Sequence, residues 1–320
     1  IGNVLFATNY AVAIRLEAGT NHLVASNTIT LPGQHVLVLT GGNRIEGNRL
    51  EDTGVSVTGI VRIESPNAMG NLAVNNLIIG FNADSVAFNF VDAVAANFAV
   101  SNLVLRANPA FYASAGVSNT VGSPVQPVCL AFVGPAGTNG VVLGQSPGVR
   151  LADGILTIAS TNLVDAVSLL PEGGGTVTVD EGVYDGSLIL PRNTVVRGQG
   201  AGRTVLRAPV DATGQIFYLT NGNILIEAMT LDGRRSAHAV LPTEVQGVNG
   251  IVTVDAADVT VRNCQVRDAL NNGVFVGISV PGFLIENCVV ENSATNNVPQ
   301  GTPGGHGYGI FCAGSASPVI

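Results

Sequence analysis

Apolar and polar residues alternate in short bursts along this chain, and in the second half the bursts superpose. ILIEAMTLDG from Ile224, VTVRNCQVRD from Val259 and FLIENCVVEN from Phe283 align without gaps, their starts 35 and 24 residues apart. Ile224, Val259 and Phe283 form one apolar column, and Ile226, Val261 and Ile285 the next. Met229, Cys264 and Cys288 follow, then Leu231, Val266 and Val290. Strict alternation over four or five residues is the period of a half-buried strand. Recurrence every 20 to 35 or so residues is the mark of a solenoid, which displays function on a long outer face. Each unit reads as two short strands about a polar bend (Ala228, Asn263, Asn287), then a third strand after a loop. Gly250–Val254, Gly273–Val276 and Gly309–Cys312 occupy that third place.

The first half carries the same device. NHLVASNTITL, NRIEGNRLED, NLAVNNLIIG and NFAVSNLVLR put Asn27, Asn48, Asn76 and Asn102 at equivalent bends, 21, 28 and 26 residues apart. Stacked side-chain amides can both donate and accept, so such a column satisfies polar groups that would otherwise be buried unpaired. Asn263 and Asn287 are assigned to the same structural ladder. Around Asn76 and Asn102 the expected inward residues are Leu72, Val74, Leu77 and Ile79, then Phe98, Val100, Leu103 and Leu105. Around Asn27 and Asn48 the phase slips by one residue, which predicts a different turn there.

Residues 160–170 change period. Leu163, Val164, Ala166, Val167 and Leu170 suit a short amphipathic helix, capped by Ser160 or Thr161 and stopped by Pro171. A helix here would cover the apolar end of a new stack of strands. The expected organisation is coils of a first solenoid over 1–107, a Gly/Pro/Ser-rich exit segment over 108–154, and the start of a second solenoid over 155–320. Both ends read as cut from a longer chain, the second solenoid being truncated at its C-terminus.

Composition narrows the function. Of 320 residues, 46% are hydrophobic and 11% charged, which argues against disorder. The net charge is −8, with no basic cluster, so nucleic-acid binding is disfavoured. No apolar run reaches the roughly 18 residues of a membrane span, so no membrane insertion is expected. Four cysteines are too few for a disulfide framework, and Cys264 and Cys288 read as buried free thiols.

The run PEGGGTVTVDEGVYDGSLILPRNTVVRGQG at 171–200, entered from a helix ending in Leu169-Leu170, resembles the opening of the pectate-lyase-superfamily (pectin-lyase-like) β-helix. The likeness covers about 155–320; over 1–150 it is only a generic β-helix pattern. It implies an all-β chain of two right-handed parallel β-helical segments in tandem. It also implies the settings of that superfamily: polysaccharide lyases and hydrolases, uronan epimerases, and phage tailspikes, which commonly form homotrimers. The expectation is an extracellular, cell-surface or virion protein whose partner is a polysaccharide or cell-surface glycan, which it binds and, as a lyase or hydrolase, would cleave. The alternative is a non-catalytic structural fibre or adhesin. The shortage of aromatic residues for sugar stacking supports the alternative: there is no Trp and only five Tyr.

Chemistry is sought in the outward columns. Glu227, Arg262 and Glu286 share one and read as a charge-compensating ladder. Asp232, Arg267 and Glu291 share another, beside Arg234, Arg235 and Asp268. At about 4.8 Å per rung, Asp232 and Glu291 would be about 9 to 10 Å apart, near the upper edge for an inverting pair of carboxylates. An arginine between them would suit neutralisation of a uronate carboxylate beside a general base. The candidate catalytic set is therefore Asp232, Arg267, Asp268 and Glu291, with His306 from the glycine-rich loop. Arg234, Arg235, His238 and Tyr308 are the candidate substrate-binding residues. No metal site or cofactor is expected, although Asn271-Asn272 is a pair of the type Ca²⁺ accepts. Gly198–Gly202 imitates a dinucleotide fingerprint without the helix that motif needs.

Overall fold

The computed structural model describes residues 2–6, 12–82, 84–91, 96–112, 120–121, 127–135, 148–152, 155–210, 215–237, 250–278, 280–293 and 308–313. The fold is all-β, with 47% of residues in strands and 3% helical. It divides into two compact units, Ile1–Gln126 and Pro127–Ile320. In each, the chain passes through three sheets in rotation, so that successive strands of one sheet are about a repeat apart in sequence. Among the described residues the pairings are parallel apart from Gly148–Ala152 against Ile155–Ser160. No barrel closes, and the arrangement is compatible with a parallel β-helix.

Among the described residues, the first unit has three five-stranded sheets. Their inward columns are Val24–Ile45–Ala73–Ala99, Ile29–Leu50–Ile78–Val104 and Val36–Val61–Phe88. All of these belong to, or pack on, one continuous core. The expected slip in phase is not there. Ile29, Leu50, Ile78 and Val104 stand in unbroken register, and the inward residues of the later rungs are Ala73, Ile78, Ala99 and Val104, not Leu72, Val74, Leu77 or Ile79 and their counterparts. Leu77, Ile79, Leu103 and Leu105, on the opposite side of the strand, are nonetheless buried. A strand buried on both sides carries no polar alternation from which its phase can be read.

Asn27, Asn48, Asn76 and Asn102 form the expected ladder. Each Oδ1 accepts both the backbone N–H and the Nδ2 amide of the preceding asparagine, at 2.9–3.0 Å for the three links from Asn27 to Asn102. The remaining Nδ2 hydrogens of Asn48, Asn76 and Asn102 reach the carbonyls of Val24, Ile45 and Ala73. The residue before each asparagine (Ser26, Gly47, Asn75, Ser101) holds a left-handed backbone, φ 54–61°, which makes the bend. A second ladder, Asn43–Asn71–Asn97, runs along another corner in the same manner.

The second unit is built on an eight-stranded sheet running Gly148–Ala152, Ile155–Ser160, Val128–Val133, Thr176–Val179, Val195–Arg197, Ile224–Glu227, Val259–Arg262, Leu284–Glu286. Two of these strands lie in the segment read as an exit. The helix Leu163–Ser168 packs on the strands Val128–Val133, Ile155–Ser160 and Thr176–Val179, burying Leu163, Ala166 and Val167. Its cap is Asn162, whose Oδ1 accepts the N–H of Val164 at 2.8 Å; Ser160 stands one step back, its hydroxyl accepting the N–H of Asn162. The Gly198–Gly202 run leads into the strand Thr204–Arg207. Gly198 is needed because a Cβ there would lie 2.4 Å from the Ala228 carbonyl.

Asn263 and Asn287 are not rungs of the ladder. With Ala228 they hold the left-handed bend, φ 51–58°, and their side chains are exposed. The place of the ladder asparagines, one residue later, is taken by Met229, Cys264 and Cys288. Cys264 Sγ lies 3.8 Å from the Ile226 carbonyl and 3.2 Å from that of Arg262, the contacts that the Asn102 amide makes with Ala73 and Val100.

Candidate functional site

The strands Gly182–Asp185, Thr204–Arg207, Thr230–Asp232, Gln265–Arg267 and Val289–Glu291 form one sheet in register. Register carries the outward charges into a column of five, Asp185–Arg207–Asp232–Arg267–Glu291, alternating in sign. Arg207 grips Asp185 through Nε and Nη2 at 2.8 and 3.0 Å. Arg267 meets Asp232 Oδ2 at 2.9 and 3.2 Å. The other Asp232 oxygen accepts the Arg234 N–H at 2.8 Å. Glu291 accepts from Gln265 Nε2 at 2.7 Å.

The sequence-derived candidates therefore meet on one edge, but already engaged with one another. Arg267 occupies the rung between Asp232 and Glu291. Asp268 makes the bend, φ 54°, and its carbonyl accepts the N–H of Arg235, while its carboxylate lies 3.8 Å from Arg267. Arg234 has the same bend conformation and points a guanidinium nitrogen at Asp185, 3.4 Å away. His238 and His306 lie outside the described residues. Tyr308, 44% exposed, lies just before the strand Ile310–Cys312 of a different sheet. Its ring stacks on Phe311 at 5.1 Å, Phe311 stacks on Phe275 at 5.6 Å, and its N–H donates to Asn272 Oδ1. Among the described residues, no group of three or more His, Cys, Asp or Glu is placed to hold a metal ion.

A second candidate face includes Arg262 and Glu286, which the sequence placed with Glu227 in a charge-compensating ladder and not in a site. Outside the eight-stranded sheet, a groove of about 370 Å³ crosses several rungs. Val195, Leu225, Thr260 and Leu284, one register column, form its floor. Asn193, Asn223 and Asp258, three left-handed bends, line one side, and Asn223 Nδ2 donates a hydrogen bond to Asn193 Oδ1 at 2.8 Å. Arg262 and Glu286 line the other. Behind Arg262 stands Glu227, 5% exposed, clamped between Arg197 and Arg262, the latter at 2.6 Å. Burial alone would push its carboxyl upward; hydrogen bonds and charge from Arg262 and Arg197 outweigh that and hold it below the usual carboxylate range. Glu227 is thus a fixed anion that orients two arginines.

No family model, curated protein or solved structure matches the chain. The arrangement offers a groove crossing the rungs, an apolar floor of Cβ-branched and leucine side chains, and donors and acceptors at fixed intervals along both rims. The two candidate catalytic carboxylates, Asp232 and Glu291, lie on a different sheet and are already committed to partners.

Proposed function

We propose that the protein is a right-handed parallel β-helix of the pectate-lyase-like kind, displayed outside the cell or on a virion, whose second unit binds a polysaccharide along its outer face. The groove over Val195, Leu225, Thr260 and Leu284 carries this reading. A glycan is a repeating polymer of hydroxyls on weakly apolar faces, and the groove presents polar side chains on successive rungs, about 4.8 Å apart: Asn193, Asn223 and Asp258 along one rim, Arg262 and Glu286 along the other. Binding without cleavage is favoured because Asp232 is held by Arg267 and the Arg234 N–H, and Glu291 by Gln265.

The test is a panel of neutral and uronate-containing polysaccharides, with binding followed calorimetrically and chain length by chromatography. Leu225→Trp, which fills the groove from a half-buried position on its floor, should weaken binding at least about tenfold, roughly the loss of one well-placed contact, and leave the unfolding midpoint in place. Binding unchanged in that variant overturns the assignment to the groove. Release of short products, lost in Asp232→Asn, overturns the non-catalytic reading. The alternative is a structural fibre, favoured by the mutual satisfaction of charge along Asp185–Arg207–Asp232–Arg267–Glu291. Absence of binding across the whole panel, with long regular filaments on imaging, would establish it instead.

A further inference from the structure

Cys264 and Cys288 sit opposite each other on neighbouring rungs. The register that pairs Gln265 with Val289 places them side by side, and two backbone bonds bracket them: Val289 N–H to the Cys264 carbonyl at 2.9 Å and Asn263 N–H to the Glu286 carbonyl at 3.0 Å. Neighbouring parallel strands hold facing Cα atoms about 4.8 Å apart, inside the roughly 4.4–6.8 Å that a disulfide spans. The two sulfurs take equivalent positions on their rungs: Cys264 Sγ lies 3.2 Å from the Arg262 carbonyl and Cys288 Sγ 3.3 Å from that of Glu286, so both side chains point along the same column. Both side chains leave the chain directly after a left-handed bend, and both are free thiols, Cys264 buried and Cys288 half-buried.

We propose that Cys264 and Cys288 form a thiol–disulfide exchange site that closes reversibly into a cross-rung disulfide, with a small organic disulfide as its oxidant. In the first step the Cys288 thiolate attacks one sulfur of the small disulfide. A bond forms to Cys288 Sγ, the S–S bond of the reagent breaks, and the departing thiolate takes up a proton. In the second step Cys264 gives up its proton and attacks Cys288 Sγ, expelling the second small thiol. The protein loses two protons and two electrons, and one small disulfide becomes two thiols. The asymmetry needed for this order is present. Cys288 is half-buried and open to a small reagent while Cys264 is buried; the interaction between the two thiols lowers Cys288 and raises Cys264, and burial raises Cys264 further. Cys129 is the internal control, since burial raises its thiol to about 12.

The experiment treats the full chain, native and at neutral pH, with oxidised glutathione, followed by acid quench and peptide mapping without reductant. A cross-linked pair of peptides holding Cys264 and Cys288 is expected, preceded by a mixed disulfide on Cys288 and reversed by dithiothreitol, with Cys129 still reduced. Iodoacetamide should label Cys288 at least about tenfold faster than Cys129, following their thiolate fractions. Cys264→Ser should stall at the mixed disulfide. Should that variant fail to fold, the order of appearance of the two species in the unsubstituted protein decides the same point. Three results overturn the proposal: both thiols unreactive in the native protein, glutathione accumulating on Cys288 without cross-linking, or Cys264 reacting first.

Discussion

Replacing Asn76 by alanine tests the asparagine ladder where it is most deeply buried. Asn76 is fully buried, and its Oδ1 is the acceptor for two donors of Asn48, the backbone N–H at 3.0 Å and Nδ2 at 2.9 Å. Its own amide donates to the Ile45 carbonyl and to Asn102 Oδ1. Truncation leaves Asn102 Oδ1 with the Asn76 backbone N–H as a remaining donor at 3.0 Å, so that acceptor stays satisfied. The two donors of Asn48 have no such reserve. A buried polar group left without a partner costs about 1–3 kcal/mol, so the pair amounts to about 4 kcal/mol, a large share of the stability of an ordinary domain. Asn263→Ala is the matched control. That side chain is exposed, and its substitution loses only the tolerance of asparagine for a left-handed backbone, about 1 kcal/mol. Urea unfolding followed by far-ultraviolet circular dichroism, with protease protection identifying which unit melts, gives both values. A loss below about 1 kcal/mol for Asn76→Ala, or equal losses for the two variants, would refute the account of the ladder as satisfaction of buried donors.

Two further expectations follow from the second unit. The Glu227 carboxyl has a folded value below its ordinary 4.5, so its ion pairs contribute stability fully above about pH 4.5, and that contribution is lost as pH falls through the lower folded value. Melting temperatures of the unsubstituted protein and of Glu227→Gln should therefore lie furthest apart at neutral pH and converge in acid; a gap that is constant across pH contradicts the assignment. Gly198→Ala should cost at least about 1–3 kcal/mol by urea titration, because its Cβ would sit 2.4 Å from the Ala228 carbonyl and 2.9 Å from Thr204 Cβ. A variant as stable as the parent would mean that the rungs can separate there.

The inward columns of the second unit were legible because their outward neighbours are Thr260, Arg262, Gln265 and Arg267, which leave the two-residue period visible. Around Asn76 and Asn102 that contrast vanishes, since both sides of the strand are apolar, and the phase taken from the pattern was one residue out. The asparagine bend was legible as a column but not as two separate positions. In the first unit the amide follows the left-handed residue; in the second the asparagine is the left-handed residue, and sulfur follows it. The second ladder had left a signal, because Asn43, Asn71 and Asn97 each precede Asn48, Asn76 and Asn102 by five residues. The Asp232–Arg267–Glu291 column was found three rungs long, whereas Arg207 and Asp185 extend it, beyond the region where the repeats align by eye. The groove was invisible to pattern reading, because Val195, Leu225, Thr260 and Leu284 are chemically unremarkable until register stacks them.

The two ladders place unequal demands on how such a chain can grow or shrink. An asparagine amide is donor on one side and acceptor on the other, so every rung is equivalent and the stack tolerates any number of them. The column Asp185–Arg207–Asp232–Arg267–Glu291 alternates in sign, so its rungs have parity. Removing the single repeat that carries Asp232 would set Arg207 against Arg267, and duplicating it would set two aspartates against each other. Deleting or inserting repeats in pairs restores the alternation. Length change in the second unit is therefore quantised in twos, while the first unit can lengthen one rung at a time.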